Sequence, residues 1–302
     1  MNNSLLVIVL ASGVAYGTPL LYAALGELLA ERSGILNLGV EGMMLVGAVM
    51  GFWTVQKLHI ATAAALGIAV VVAAFSGALL SLIHAFLVIT LRANQIVSGL
   101  ALTIFAGAAG LSSYLGNDLN LSTSPARSTF QPFLPQRMQD WPVVGPIVFG
   151  QNALVYISWL CVAGVYLYLN RTRPGLNLRA VGEAPGAADA SGLDVVRYRY
   201  LHTLAGGAFA GVGGAGWIAI ALVIFAFWRP ELCLLGAYFF GALTALSPNL
   251  QAREITVAPT EVFNALPYVM TVIVLAVVSS GWANRRIGAP AALGAPYVRE
   301  ER

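Results

Sequence analysis

The side chains most capable of chemistry stand where the rest of the chain is least suited to hold them. Residues 26–42 read GELLAERSGILNLGVEG and set Glu27, Glu31, Arg32, Asn37 and Glu41 between two apolar runs, with Gly34, Gly39 and Gly42 available to break a helix. Charged groups at membrane depth are costly and face a partner or a cavity. The stretch is therefore either a short interfacial loop with solvated charges or a discontinuous helix lining a pathway. A second polar set, Arg92, Asn94, Gln95 and Ser98, stands at the junction of two apolar runs. Asn94 and Gln95 could bond a sugar hydroxyl or a base, or cap the helix that follows. Asn37, Glu41, Asn94, Gln95 and Ser98 are accordingly the candidate pathway residues. His59, His84 and His202 occur singly, the pattern of packed or interfacial side chains rather than ligands. No HExxH, GxSxG or Ser/His/Asp spacing occurs, so no catalytic residue, metal or cofactor is expected in this chain.

The elements that must position these groups are apolar. Apolar residues make up 58% of the chain and charged residues 10%, with a mean hydropathy of +0.78, whereas soluble domains carry roughly a quarter charged residues. That excludes a soluble enzyme. Residues 5–25, 100–115 and 267–282 contain no charge, and each approaches the ~20 apolar residues that cross a bilayer core. A spanning barrel would alternate apolar and polar residues, which the continuous run 154–169 does not. Cys161 and Cys233 sit in apolar runs with no disulfide or metal spacing. Residues 1–4 carry no positive charge, so a retained first helix is expected rather than a signal peptide.

Candidate spans are 5–25, 42–55, 60–91, 96–115, 147–169, 200–228, 232–246 and 262–282. At about 32 residues, 60–91 would be ~48 Å of straight helix against a ~30 Å core, so it is tilted or broken near Ser76 and Gly77. The expectation is one all-α domain, 1–302: a polytopic transmembrane helical bundle of eight to ten membrane segments with broken or re-entrant helices. Arg171, Arg173, Arg179, Arg197 and Arg199 form the densest positive cluster. The positive-inside rule places loop 171–199 in the cytoplasm and 115–146 outside.

Within that loop the chain reads RAVGEAPGAADASGLD from Arg179 to Asp194. Pro185 suits a first helical turn, the alanines favour helix and Gly192 can end it. This loop resembles the coupling loop of ABC importer permeases, and the chain resembles their nucleoside and simple-sugar branch, related to the ribose and branched-chain amino acid permeases. The resemblance covers nearly the whole chain. It rests on ERSGILNLGVEGMMLVGA (31–48), RANQIVSGLALTIF (92–105), RAVGEAPGAADASGL (179–193), GWIAIALVIFAFWRP (216–230) and GAPAALGAPYVRE (288–300).

The resemblance implies a multi-pass subunit of the bacterial cytoplasmic (inner) membrane with no ATPase of its own, and no G-x-x-x-x-G-K-[ST] occurs. ATP and magnesium would belong to a partner ABC ATPase subunit, on which Glu183, Ala184, Pro185, Gly186, Ala187, Ala188, Asp189, Ala190 and Gly192 would dock. A second homologous permease subunit and an external substrate-binding lipoprotein would complete the assembly in the lipid bilayer, with no nucleic acid involved. Nucleosides are the implied cargo; ribose-like sugars or branched-chain amino acids would use the same machinery. An ion-coupled secondary transporter is the alternative of another class, with Glu41 and Glu231 as its candidate groups.

The chain departs from the family pattern in one place. Only Ala215 separates the glycine-rich run ending at Gly214 from GWIAIALVIF, where the family has a longer stretch. Residues 200–228 are enough for only one full crossing, which would leave Arg285 and Arg286 outside. A hairpin of half-helices broken at Gly213 and Gly214 would keep that tail inside.

Overall fold

A computed structural model describes residues 4–58, 62–121, 130–213, 216–255, 259–279 and 288–298. Its helices are α1 (Leu5–Arg32), α2 (Val40–Lys57), α3 (Thr62–Ala85), α4 (Gln95–Ala106), α5 (Leu111–Asp118), α6 (Gln136–Gln139), α7 (Ala153–Arg171), α8 (Arg173–Glu183), α9 (Pro185–Ala190), α10 (Val195–Val212), α11 (Gly216–Phe225), α12 (Pro230–Gln251) and α13 (Thr260–Ser279). Among the described residues there is no strand, and six helical stretches are long and apolar enough to cross a membrane. Gly214, Ala215, His59, Arg285 and Arg286 lie outside the described residues.

Three boundaries differ from those the sequence suggests. The first helix does not stop before Gly26; α1 continues to Arg32, so Glu27 and Glu31 are helical and fully buried. Helix α3 runs unbroken through Ser76 and Gly77, and the interruption falls later, in a π-helical turn over Phe86–Thr90. The run 96–115 divides at Gly107, whose backbone is extended, and Gly110, which precedes the first residue of α5.

Helix α1 is the central post, packed along α12 on one side and α10 on another. Glycines permit these contacts, because in lipid helices associate through close packing and not through apolar burial alone. A Cβ added at Gly77 of α3 would fall 2.2 Å from the carbonyl oxygen of Gly207 in α10, and one at Gly47 of α2 would fall 2.3 Å from that of Gly211. Helices α2, α3 and α10 thus meet backbone to backbone. The outward faces are apolar: Val71, Phe75 and Leu79 on α3, Leu160 and Leu167 on α7, and Tyr268 and Val272 on α13 are all exposed.

The contacts also order the two ends of the bundle. Gly213, at the end of α10, lies against Pro19 and Ala23 midway along α1. Arg199, near the start of α10, lies under Gly34 beyond the end of α1. After α11 the chain has returned to that same end, where Arg32 donates to the Trp228 carbonyl at 2.9 Å. The tail is there too: Gly294 N–H donates to Gly34 O at 3.2 Å and Ala292 N–H to Gly182 O at 2.9 Å. Arg32, Arg179, Arg199 and Arg229 gather at this end, hereafter the arginine end.

Candidate functional site

The arginine end is built on α8 and α9. Thr172 caps α8 by accepting from Gly175 N–H at 3.1 Å, and Pro174 and Pro185 occupy the first turns of α8 and α9. Gly192 closes α9 in the left-handed region, φ 89°, as glycine readily does. Ala188 is the buried foot of α9, packed with Val181 and Val195. Glu183, Ala184, Gly186, Ala187, Ala190 and Gly192 are exposed, while Pro185 and Asp189 are half-buried. A Cβ at Gly186 or Gly192 would meet open space. The result is a small-residue knob whose outer surface is largely exposed among the described residues.

The tail ties this knob to the bundle. Ala291 N–H donates to Glu183 Oε2 at 3.2 Å, next to the Ala292 bond to Gly182, while Arg32 and Arg199 donate to Gly288 O and Ala295 O at 3.1 and 3.3 Å. Residues 288–295 therefore bridge the end of α8, the α1–α2 loop and α10.

The polar residues of the α1–α2 loop and α4 form one network at the same end. Glu27 Oε1 accepts from Asn37 N–H at 3.0 Å, and Asn37 Oδ1 accepts from Gly39 N–H at 3.0 Å. Gln95 Oε1 accepts from Leu36 N–H at 2.7 Å. His84 bridges Ser98 Oγ at 3.0 Å and Leu36 O at 3.2 Å. Since a carbonyl only accepts, His84 carries its proton on Nε2 and receives the Ser98 hydroxyl on Nδ1. Asn94 caps α4, accepting from Val97 N–H at 3.1 Å, and Glu41 sits half-buried in the first turn of α2. Asn37, Gln95 and Ser98 are thus brought together, with Asn94 and Glu41 at the margins.

Three members owe their places to contacts that the sequence does not show. Glu31 accepts from the Trp228 indole, 197 positions away; Glu27 and Glu31 show only an i, i+4 spacing that puts both on one helical face. His84 looks like any lone histidine until the fold brings Leu36 and Ser98 to it.

Toward the opposite end, a cavity of about 490 Å³ opens between α2, α3 and the end of α10. Its wall includes Gly51, Phe52, Ala73, Phe130, Asn152 and Gly213. It is mostly apolar, and Asn152 is its one side-chain amide among the described residues. The close contact of Gly77 with Gly207 and Gly211 lies between this cavity and the network around His84. An apolar cavity toward one end, a buried polar network toward the other and an exposed knob beside that network are arranged along one bundle of apolar helices.

Comparison with known proteins gives the family. Residues 9–275 match the model of the branched-chain amino acid transport system / permease component family, and the chain belongs to that family. It is 37% identical to the putative glucose ABC transporter permease protein TsgC13 of Haloferax volcanii, over 95% of this chain and 96% of that one. It is 33% identical to the nucleoside ABC transporter permease protein NupC of Lactococcus lactis subsp. cremoris, over 98% of each. It is 32% identical to the guanosine ABC transporter permease protein NupQ of Bacillus subtilis, over 99% and 98%. The resemblance to ABC importer permeases of the nucleoside and simple-sugar branch therefore holds along the whole chain. No solved structure matches it.

Proposed function

We propose that this chain is the membrane-spanning subunit of an ATP-driven importer whose cargo is a nucleoside. The observation that carries the cargo is the full-length similarity to two permeases named for nucleosides, joined to a cavity walled by Phe52 and Phe130 with little hydrogen-bonding surface. A flat base stacks on such walls, whereas a hexose, ringed by hydroxyls, needs more polar partners when buried. The second reading, a simple sugar, is favoured by the similarity to TsgC13. Uptake of labelled guanosine, glucose and ribose separates them, in cells lacking this gene with and without the gene restored. Guanosine uptake alone should be lost and recovered; loss confined to a sugar would keep the machinery and overturn the cargo.

The chain forms one permease domain, 1–302, in the bacterial inner membrane, with loop 171–199 in the cytoplasm. Glu183, Ala184, Pro185, Gly186, Ala187, Ala188, Asp189, Ala190 and Gly192 dock on a separate ABC ATPase, which binds the ATP and magnesium. A second permease of similar fold and an external lipoprotein complete the importer. Cargo enters the cavity beside Phe52, and Asn37, Glu41, Asn94, Gln95 and Ser98, joined by His84, form the gate on the cytoplasmic side. Nucleotide-driven closure shifts the equilibrium between outward-facing and inward-facing states.

Seven crossings, the six long apolar stretches plus α2, and a re-entrant pair, α10 and α11, make nine membrane segments. The return of the chain to the arginine end at Trp228 and the anchoring of the tail at Gly34 and Gly182 support the hairpin. A single cysteine at Ala291, in a background carrying Cys161→Ala and Cys233→Ala, is expected to react with an impermeant thiol reagent only after cells are opened. Labelling in intact cells would rule the hairpin out.

A further inference from the structure

A second cavity, of about 310 Å³, opens at the arginine end between the ends of α1 and α7, helix α8 and the start of α12. Arg32, Arg179 and Arg229 all line it, with Asn170 and Tyr166 beside them. The terminal nitrogens of Arg32 are held by the carbonyls of Trp228 and Gly288, which fixes the guanidinium but leaves its Nε buried without a partner. The Nε of Arg179 is in the same condition. Buried N–H groups without acceptors are costly, and more so on charged groups. The acidic neighbours do not fill this need: Glu31 is engaged by the Trp228 indole, Glu183 accepts from Ala291, and Glu231 is one carboxylate among three guanidinium groups.

The wall of this cavity is strained. Phe227 and Trp228 are consecutive aromatic residues in the left-handed region, at φ 50° and 54°, where bulky side chains are rare and strain is a pointer to function. Both residues line the cavity.

Those Nε atoms lie behind the wall, but Arg179 and Arg229 line the cavity and their side chains donate no hydrogen bond to any described residue. The acceptor they can take from the cavity is an anion, and its source is indicated by the surroundings. Tyr166 and its neighbour Leu167, near the end of α7, are exposed large side chains, so the cavity lies beside surface suited to acyl chains. On the proposed topology it lies at the level of the cytoplasmic headgroups, where basic pockets between helices hold anionic lipids. We infer that this cavity binds the headgroup of an anionic phospholipid of the inner leaflet, whose phosphodiester oxygens accept from Arg179 and Arg229, with the Arg32 charge behind them.

The test uses the assembled complex purified in detergent and compares retained phosphatidylglycerol with phosphatidylcholine by native mass spectrometry. Phosphatidylglycerol is expected to be retained preferentially; Arg229→Gln should cut the preference about fivefold, and Arg179→Gln with Arg229→Gln should abolish it. Arg137→Gln, at the opposite end, should leave it intact. Equal retention of both lipids by the parent protein, or an unchanged preference in the double variant, would overturn the site. Thermal stabilisation by inorganic phosphate equal to that by phosphatidylglycerol would overturn the lipid as its source. Lipid retention in detergent depends on neither cargo nor crossing number, so its failure and that of the transport reading are told apart.

Discussion

Gly77→Val is expected to prevent accumulation of folded protein. The added Cβ falls 2.2 Å from Gly207 O and 2.8 Å from the N and Cα of Gly211, all backbone atoms of α10. No side chain can turn aside to make room, so α3 and α10 must separate. Overpacking of a close-packed interior typically costs ~1–3 kcal/mol, and more when backbone must move. Here the same contact also supports α2 at Gly47 and seals the inner side of the cavity. Gly164→Val, on α7, is the matched control, since its Cβ meets nothing within 4 Å. Size-exclusion profiles of the two tagged variants should differ, with Gly164→Val alone giving a monodisperse peak; two such peaks would contradict the packing of α3 on α10.

The second large effect is on transport and leaves the fold intact. Glu183→Arg exchanges an exposed carboxylate for a cation at the foot of the knob, removes the acceptor for Ala291 N–H and adds positive charge where Arg32 already feels Arg179 and Arg229. Most of the surrounding knob rests on Ala188, Val181 and Val195, which are buried and untouched. Because those buried contacts are kept and Glu183 itself is exposed, the fold is expected to survive the change. Uptake is expected to fall more than tenfold at normal protein levels, while ATP hydrolysis by the complex loses its dependence on cargo. Normal uptake in this variant would remove Glu183 from the docking surface.

How far these positions can be read from sequence depends on the range of the interactions that fix them. Helix α9 is legible because its signals are local: Pro185 starts it and Gly192 ends it. The spans are legible because the bilayer demands long apolar runs. Their ends are not, and α1 shows why. Gly26 resembles a breaker, yet it lies in a helix because Gly206 of α10 packs against it. Glu27 and Glu31 resemble loop residues, yet they are buried because Asn37 N–H and the Trp228 indole reach them. Gly77 is similar: in sequence it reads as a weak point of a long helix, and in space it is where two helices touch.

The cavity was hidden for the same reason. Phe52, Ala73, Phe130, Asn152 and Gly213 come from separate parts of the chain, and no spacing relates them. The tail lies between these cases. Its sequence marks a resemblance, but its bridging of Gly34, Gly182 and Glu183 becomes visible only once α8 and the α1–α2 loop are placed.

The most direct test of the central claim, that this subunit is driven through its α8–α9 knob by a separate ATPase, is site-specific photocrosslinking from Ala187. A photoreactive residue at Ala187, exposed on α9, is expected to crosslink to the ATPase subunit in the assembled importer, with a yield that changes when ATP binds. The same residue at Arg137, at the opposite end, should give no such product. Absence of the ATPase adduct from Ala187, with the complex intact, would contradict the assignment of the knob as the site where ATP hydrolysis enters the membrane subunit.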